Sequence, residues 1–260
     1  MDIQINTESF KQFLLRCAVG GIVRDLVIHT APNNKILGRV TDKMVTMYAE
    51  VYQDGVKITE EGNIRVPNLK KLIDTVNRTD SELIRIKSNT DAFVLTDGAG
   101  VGKIHSNMAQ SSDAEIVESY QAVDGILDYF DKDALTYNRG KIVYENGVEL
   151  SVGILQDVVD DAKAFSYETF KMTPVKGTLK CRIENNSTGE NFTRTIADKD
   201  FIGSLDAIPV TMVGMGFKEM VKAIKDSNPK DKIKLYIHDT SWLLTNGKDY
   251  FFNIHTMEVE

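Results

Sequence analysis

Residues 3–17, IQINTESFKQFLLRC, and residues 148–162, VELSVGILQDVVDDA, decide how this chain is read. Each opens with four residues of strand character, Ile3-Gln4-Ile5-Asn6 and Val148-Glu149-Leu150-Ser151, and each then changes period. Phe10, Phe13, Leu14 and Cys17 fall at i, i+3, i+4 and i+7. Leu155, Val158, Val159 and Ala162 do the same, so each segment lays one apolar stripe along one helix face. The two segments lie 145 residues apart. A second pair of stripes, Leu69/Leu72/Ile73/Val76 and Phe217/Met220/Val221/Ile224, lies 148 residues apart. Asn6 or Thr7 and Ser151 are N-cap candidates. Pro67 suits the first position of the second helix, and Pro229 the end of the fourth.

The runs between these helices read as strands: 22–30, 44–52, 82–95, 177–183, 191–196 and 231–255. They alternate or are rich in β-branched and aromatic residues. Asp54-Gly55, Asp97-Gly98, Asn146-Gly147 and Asn246-Gly247 sit between such runs and suit tight hairpins, which favours antiparallel sheets. Each half therefore reads strand, helix, several strands, helix, several strands. The stretch 109–145 fits neither half. It is polar and acidic, with an apolar cluster at Ile126, Leu127, Tyr129 and Phe130, and reads as a connector.

Composition narrows the function classes. The 260 residues are 42% hydrophobic and 27% charged, enough for a real core. A net charge of −7 means that any nucleic-acid contact must use a local basic surface. Cys17 and Cys181 are too few for a disulfide framework or a four-ligand zinc site. No apolar run approaches a membrane span, and MDIQINTESF has no signal-like apolar stretch, so an intracellular, membrane-free protein is expected. No phosphate-binding Gly-rich loop is present. Gly98-Ala-Gly-Val-Gly102 lies between strand-like runs and opens no helix. The four histidines form no short-range ligand pair, and Asp157, Asp160 and Asp161 read as a solvated helix face. Neither a catalyst nor a cofactor is indicated.

Several segments together resemble the PCNA-type DNA polymerase sliding clamps. INTESFKQFLLRCAVGGIVRDLVIHT is similar to their first strand, helix and following hairpin, and RVTDKMVTMYAEVY to the strand after an Asp-containing turn. NIRVPNLKKLIDTVN is similar to the second helix and SELIRIKSNTDAFVLTDG to the next hairpin. IPVTMVGMGFKEMVKAIKDSNPKDKIKLYI and KDYFFNIHTMEVE are similar to the last helix and the closing strands. The resemblance implies an α+β, two-domain DNA-clamp fold with antiparallel sheets outside and two helices per domain lining a central channel. The domains would be 1–112 and 146–260, joined by an interdomain connector at 113–145. It implies a homotrimeric ring that encircles double-stranded DNA without reading sequence and tethers DNA polymerase and other clients, raising processivity. A clamp loader and client proteins with short docking peptides would be further partners. The compartment would be cytoplasmic if the source is archaeal or viral, nuclear if eukaryotic. A clamp-like subunit of a heteromeric checkpoint or viral transcription ring is the alternative. An enzyme on an unrelated α+β fold is a third reading and would need a converging titratable set.

The resemblance also assigns residues. Helix faces turned from the apolar stripes should be basic, which on a helical wheel selects Lys11, Arg16, Lys70, Lys71, Arg78, Lys163, Lys218, Lys222 and Lys225 for the DNA channel. The four helical segments carry formal charges of +1, +2, −2 and +1 in chain order, so the third does not fit. A partner groove under the connector would use Val40, Val45, Ile126, Leu127, Tyr129, Phe130, Phe252 and Ile254. Between subunits, a strand near 101–108 would pair with 191–197 of the neighbour.

Overall fold

The computed structural model describes residues 1–42, 46–89, 92–97, 106–110, 130–137, 141–185 and 187–257. β1 (Asp2–Asn6) runs without a break into α1 (Thr7–Ala18), because Asn6 is still extended while its side chain accepts the N–H of Ser9 at 3.0 Å. Then come β2 (Leu26–Ala31), β3 (Lys35–Thr41), β4 (Met47–Gln53), β5 (Lys57–Glu60) and β6 (Asn63–Val66). α2 (Leu69–Asn77) follows, and β7 (Leu83–Ser88), β8 (Ala92–Asp97) and β9 (Ser106–Ala109) close the first module.

After β10 (Thr136–Tyr137) and β11 (Ile142–Val143) the order repeats. β12 (Gly147–Ser151) leads into α3 (Val152–Phe165). β13 (Thr169–Val175), β14 (Thr178–Glu184), β15 (Asn191–Ala197), β16 (Phe201–Ile202) and β17 (Thr211–Val213) precede α4 (Gly216–Ser227). β18 (Lys232–Ile237), β19 (Ser241–Thr245) and β20 (Tyr250–His255) complete it. Both modules read strand, helix, five strands, helix, three strands. The fold is α+β, as the sequence indicates, and all strand pairings are antiparallel.

Sheet order repeats as well. Module one has a five-stranded sheet, β5-β1-β7-β8-β9, and module two its counterpart, β16-β12-β18-β19-β20. Likewise β6-β2-β3-β4 matches β17-β13-β14-β15. The two modules fuse where β20 pairs with β4, Phe252 opposite Ala49 and Ile254 opposite Met47, so that five strands of one and four of the other form a single nine-stranded sheet. Among the described residues β9 and β15 are left as sheet edges, and they are the counterparts of β20 and β4.

The helices all lie against one side of the sheets. α1 packs on α2, α1 on α4 and α4 on α3, which puts them in the row α2-α1-α4-α3. Their stripes (Phe10, Phe13, Leu14 and Cys17; Leu69, Leu72 and Val76; Leu155, Val158 and Val159; Phe217, Met220 and Ile224) are buried in one continuous core. Trp242 lies at its centre, edge-on to Phe217 at 5.4 Å, and satisfies its ring N–H on the Thr211 hydroxyl at 2.8 Å. Gly216 lets α4 approach this sheet, since a Cβ there would lie 3.0 Å from Ile254.

Two turn expectations are corrected, and one helix start. Only Asn246-Gly247 turns a tight hairpin as read, between β19 and β20, its Asn side chain accepting the N–H groups of Lys248 and Asp249. Asp54-Gly55 carries the chain from β4 in one sheet to β5 in another. At Asn146-Gly147 the asparagine accepts the Ser204 N–H, and the glycine is a strand residue pressed against the Leu235 carbonyl. Asn33-Asn34 and Lys176-Gly177, all at positive φ, turn the β2–β3 and β13–β14 hairpins instead. The turn at Gly98 lies outside the described residues. Pro67 does not open α2; it precedes the N-cap Asn68, whose side chain accepts the Lys71 N–H at 2.9 Å.

Ser151 holds the place of Asn6 in module two but makes no side-chain cap. Asn6→Ala is therefore expected to cost about 1 kcal/mol and Ser151→Ala much less. Urea unfolding of the two variants side by side checks the asymmetry.

Candidate nucleic-acid interface

The helix row gives the molecule one wall made of helix backs. Of the cations expected there, Lys70, Lys71, Arg78, Lys163 and Lys222 are exposed, and Lys11, Lys218 and Lys225 are half-buried. A cleft of about 470 Å³ opens between α1, α2 and α4. Leu15, Ala18, Val23 and Ile73 form its apolar floor, and Arg24, Lys70, Lys222 and Asp226 stand around it. Arg24, which follows α1, was not selected by helical spacing. Only the approach of α1 to α2 and α4 reveals it.

Arg16 is a correction. It is 4% exposed, donates from Nε to the Ser227 hydroxyl at 3.1 Å and lies 5.3 Å over the Tyr250 ring. It joins module one to module two rather than facing a channel. The wheel placed it at the flank of the α1 stripe, and that flank is where α4 packs. Beneath it, Tyr250 donates its hydroxyl to Asp231 at 3.0 Å. Burial raises the Asp231 carboxyl above the ordinary carboxylate range, against the pull of Tyr250 and Arg16.

On α3 the acidic face is organised. Arg194 of β15 donates to Asp161 at 2.7 Å and to Asp157 at 3.3 Å.

Val40, Phe252 and Ile254 are also corrected. They are 3%, 0% and 2% exposed and belong to the helix-side core, so they present no groove. Successive strand residues point to opposite faces, and the outward members are their neighbours. Tyr236, Leu243, Phe251 and Tyr144 form a second apolar cluster on the other face of the nine-stranded sheet, with Tyr52, Phe130, Leu135, Tyr137 and Ile142 packed on it. Phe130 lies 5.5 Å from the Phe251 ring. Tyr137 lies 5.4 Å from Tyr48. The Tyr144 hydroxyl is 2.7 Å from the Ser241 hydroxyl and accepts from Asn253. The connector residues 130–137 and 141–144 thus cover the outer side of the β20–β4 joint. Val45, Ile126, Leu127 and Tyr129 lie outside the described residues.

No catalytic constellation emerges among the described residues, and none of their His, Cys, Asp and Glu side chains group in threes around a metal-sized space. Cys17 and Cys181 are fully buried, and burial pushes both thiols up, away from the reactive thiolate.

Two fused helix-and-sheet modules, helices in one row and sheets behind, are the arrangement of known DNA clamps. The chain aligns over its whole length with the Borrelia burgdorferi DNA polymerase III subunit beta, at 16% identity and a TM-score of 0.72, spanning 63% of that chain. It aligns likewise with A. fulgidus PCNA, in a structure with the C-terminal region of FEN-1 bound, at 13% identity and a TM-score of 0.70, spanning 99% of that chain. This is the sliding-clamp fold. A PCNA2–PCNA3 complex from Sulfolobus tokodaii matches over 98% of the chain, at 9% identity and a TM-score of 0.65. No protein-family model matches, and no curated protein matches. The clamp fold is therefore carried here by a sequence that shares few residues with those proteins.

Arg16→Ala is expected to cost about 2–3 kcal/mol, from a lost charged hydrogen bond and a lost cation–π contact, whereas Lys70→Ala stays within about 0.5 kcal/mol. Denaturant titration distinguishes the two. Asp231 gives a pH test. Folding favours its protonated form, so the wild type loses stability as pH climbs from the unfolded carboxyl value of about 3.9 through the raised folded one. Asp231→Asn does not titrate, and its stability relative to wild type is expected to rise between about pH 3 and pH 7 in a series of urea melts.

Proposed function

We propose that the chain is a sliding clamp that closes, as three copies, into a ring around duplex DNA and tethers a DNA polymerase and other clients. The observation that carries this reading is the internal β20–β4 joint. It leaves at the sheet edges β9 and β15, the strands that hold the corresponding places in the other module. A joint of the same kind between copies would pair β9 of one with β15 of the next. Such a head-to-tail contact generates a ring if its rotation closes, and closure pairs β9 and β15 of every copy. Six modules would then turn their helices toward a common axis.

The chemistry suits retention without recognition. Duplex held inside a closed ring leaves only when the ring opens or the DNA ends. The wall therefore needs to attract phosphates and not to read bases, since base contacts would fix a position. Lys11, Lys70, Lys163, Lys218, Lys222 and Lys225, with Arg24, supply that attraction, and Lys71 and Arg78 stand at its margin. The net charge of −7 does not cancel it, because salt screens charges beyond about 8 Å. A polymerase held on the outside rebinds the primer end at high effective concentration, which is how processivity rises. The half-buried Tyr52, Leu135 and Tyr137, at the surface of the outer cluster, are where a short client peptide would place its apolar anchors. A clamp loader would open the ring, and the compartment would be that of the replicating DNA.

Sedimentation at micromolar concentration is expected to give three times the 29.1 kDa chain mass. A chain that stays monomeric until other subunits are added would instead mark a member of a heteromeric ring. The triple variant Lys70→Ala, Lys218→Ala, Lys222→Ala is expected to assemble normally but to load on nicked circular DNA several-fold less well. Unchanged loading would refute the channel assignment.

A further inference from the structure

The helices of the two modules match over their buried stripes, and the match exposes a reversal of charge. Thr7 and Val152 open α1 and α3, an offset of 145. The buried Leu69, Leu72 and Val76 of α2 match Phe217, Met220 and Ile224 of α4, an offset of 148. The second match extends to Thr79 and Ser227, both buried, each donating its hydroxyl to a carbonyl in the preceding turn. Arg16 therefore corresponds to Asp161, Glu219 to Lys71 and Asp226 to Arg78.

The internal joint sets Arg16 of α1 against a face of α4 that carries Glu219 and Asp226 as well as Lys222. Arg16 reaches Ser227. Glu219 packs over Gly20, where a Cβ would overlap its side chain. Asp226 stands in the same cleft as Leu15 and Ala18, with Lys222 beside it. At the ends of the helix row each of the three charged groups Arg16, Glu219 and Asp226 has a counterpart of opposite charge. Asp161, with Asp157 beside it, occupies the place of Arg16. Lys71 and Arg78, both exposed, occupy the places of Glu219 and Asp226. Phe165, 50% exposed, closes the last turn of α3, beyond the point where α1 ends, and stacks on Phe192 of the edge strand β15 at 5.8 Å and on Tyr167 at 5.5 Å.

We infer that the end face formed by α3 and β15 docks a second copy of this chain through its α2 and β9, by a joint whose charges are the reverse of those inside the chain. The inference rests on the ring reading and adds the device that selects the pairing. The acidic α3 face attracts the basic α2 face of the next copy. An α3 face against another α3, or α2 against α2, sets like charges together and is repelled. Arg194 satisfies part of the acidic charge in the free chain, yet Asp157, Asp160, Asp161 and Arg194 together remain net negative. Phe165, Tyr167 and Phe192 supply the apolar contact around which these charges act. The assignment also moves Lys71 and Arg78 from the channel wall to its seams.

The test uses the full chain and reads its mass by light scattering after gel filtration and by sedimentation equilibrium. Wild type is expected to form a trimer whose association weakens about tenfold or more between about 0.05 M and about 0.5 M sodium chloride. The reversals Asp157→Lys with Asp161→Lys, and separately Lys71→Glu with Arg78→Glu, are each expected to leave a folded monomer by circular dichroism. The chain carrying all four changes is expected to recover the trimer, since attraction is restored with the signs exchanged. A wild-type trimer that both pairs of reversals leave intact overturns the charge assignment and spares the ring. A four-fold variant that remains monomeric where wild type assembles also overturns it. A wild type that stays monomeric at every salt concentration overturns the ring reading itself.

Discussion

Backbone pairing between β20 and β4 is the constraint on which this molecule depends. An antiparallel ladder leaves little freedom in the distance and twist between neighbouring strands. Two modules that share one therefore sit at a fixed angle, which loop contacts alone would not impose. The helices reinforce that angle. Gly216 brings α4 down onto Ile254, and Arg16 crosses from one module to hydrogen-bond in the other. The same ladder determines which edges stay bare and so what a neighbouring copy has to fit.

The nine-stranded sheet separates two kinds of work by parity alone. Phe252 and Ile254 face the helices and are core; Phe251 faces the other way and carries the connector. Each face then acquires its own chemistry. The helix side ends in a row of solvated cations, where loose electrostatic attraction suffices. The outer side gathers aromatic rings and a short hydroxyl–amide chain through Tyr144, Ser241 and Asn253, which suits a shaped contact with protein.

Much of this was legible in the sequence because helix periodicity and repetition are local signals. The four stripes at 10–17, 69–76, 155–162 and 217–224 are buried except for the half-buried Ile73, and the repeat offset of 145 reproduces the register of the first strand and helix. The errors have a common cause. Arg16 and Lys70 both lie at the flanks of their stripes, and only the neighbouring helix makes one buried and leaves the other exposed. The faces of Phe252 and Ile254 turn on a one-residue choice of parity in a strand that is apolar on both sides, where alternation gives no guidance. Asp54-Gly55 has the composition of a hairpin but joins strands of different sheets, and nothing local distinguishes the two uses.

The ladder that fixes the two modules also has a cost in time. Its partners, Val51 and Tyr250, are separated by about 200 residues, so this is a highly non-local contact. At roughly 5–20 residues per second a ribosome needs about 10–40 s to make that span. Throughout it β4 is an apolar strand with one side unclaimed, and Arg16 is a cation awaiting its hydroxyl. The nascent chain thus carries for tens of seconds a sticky border that the finished protein conceals, and shielding it is a task for whatever escorts the polypeptide until β20 emerges.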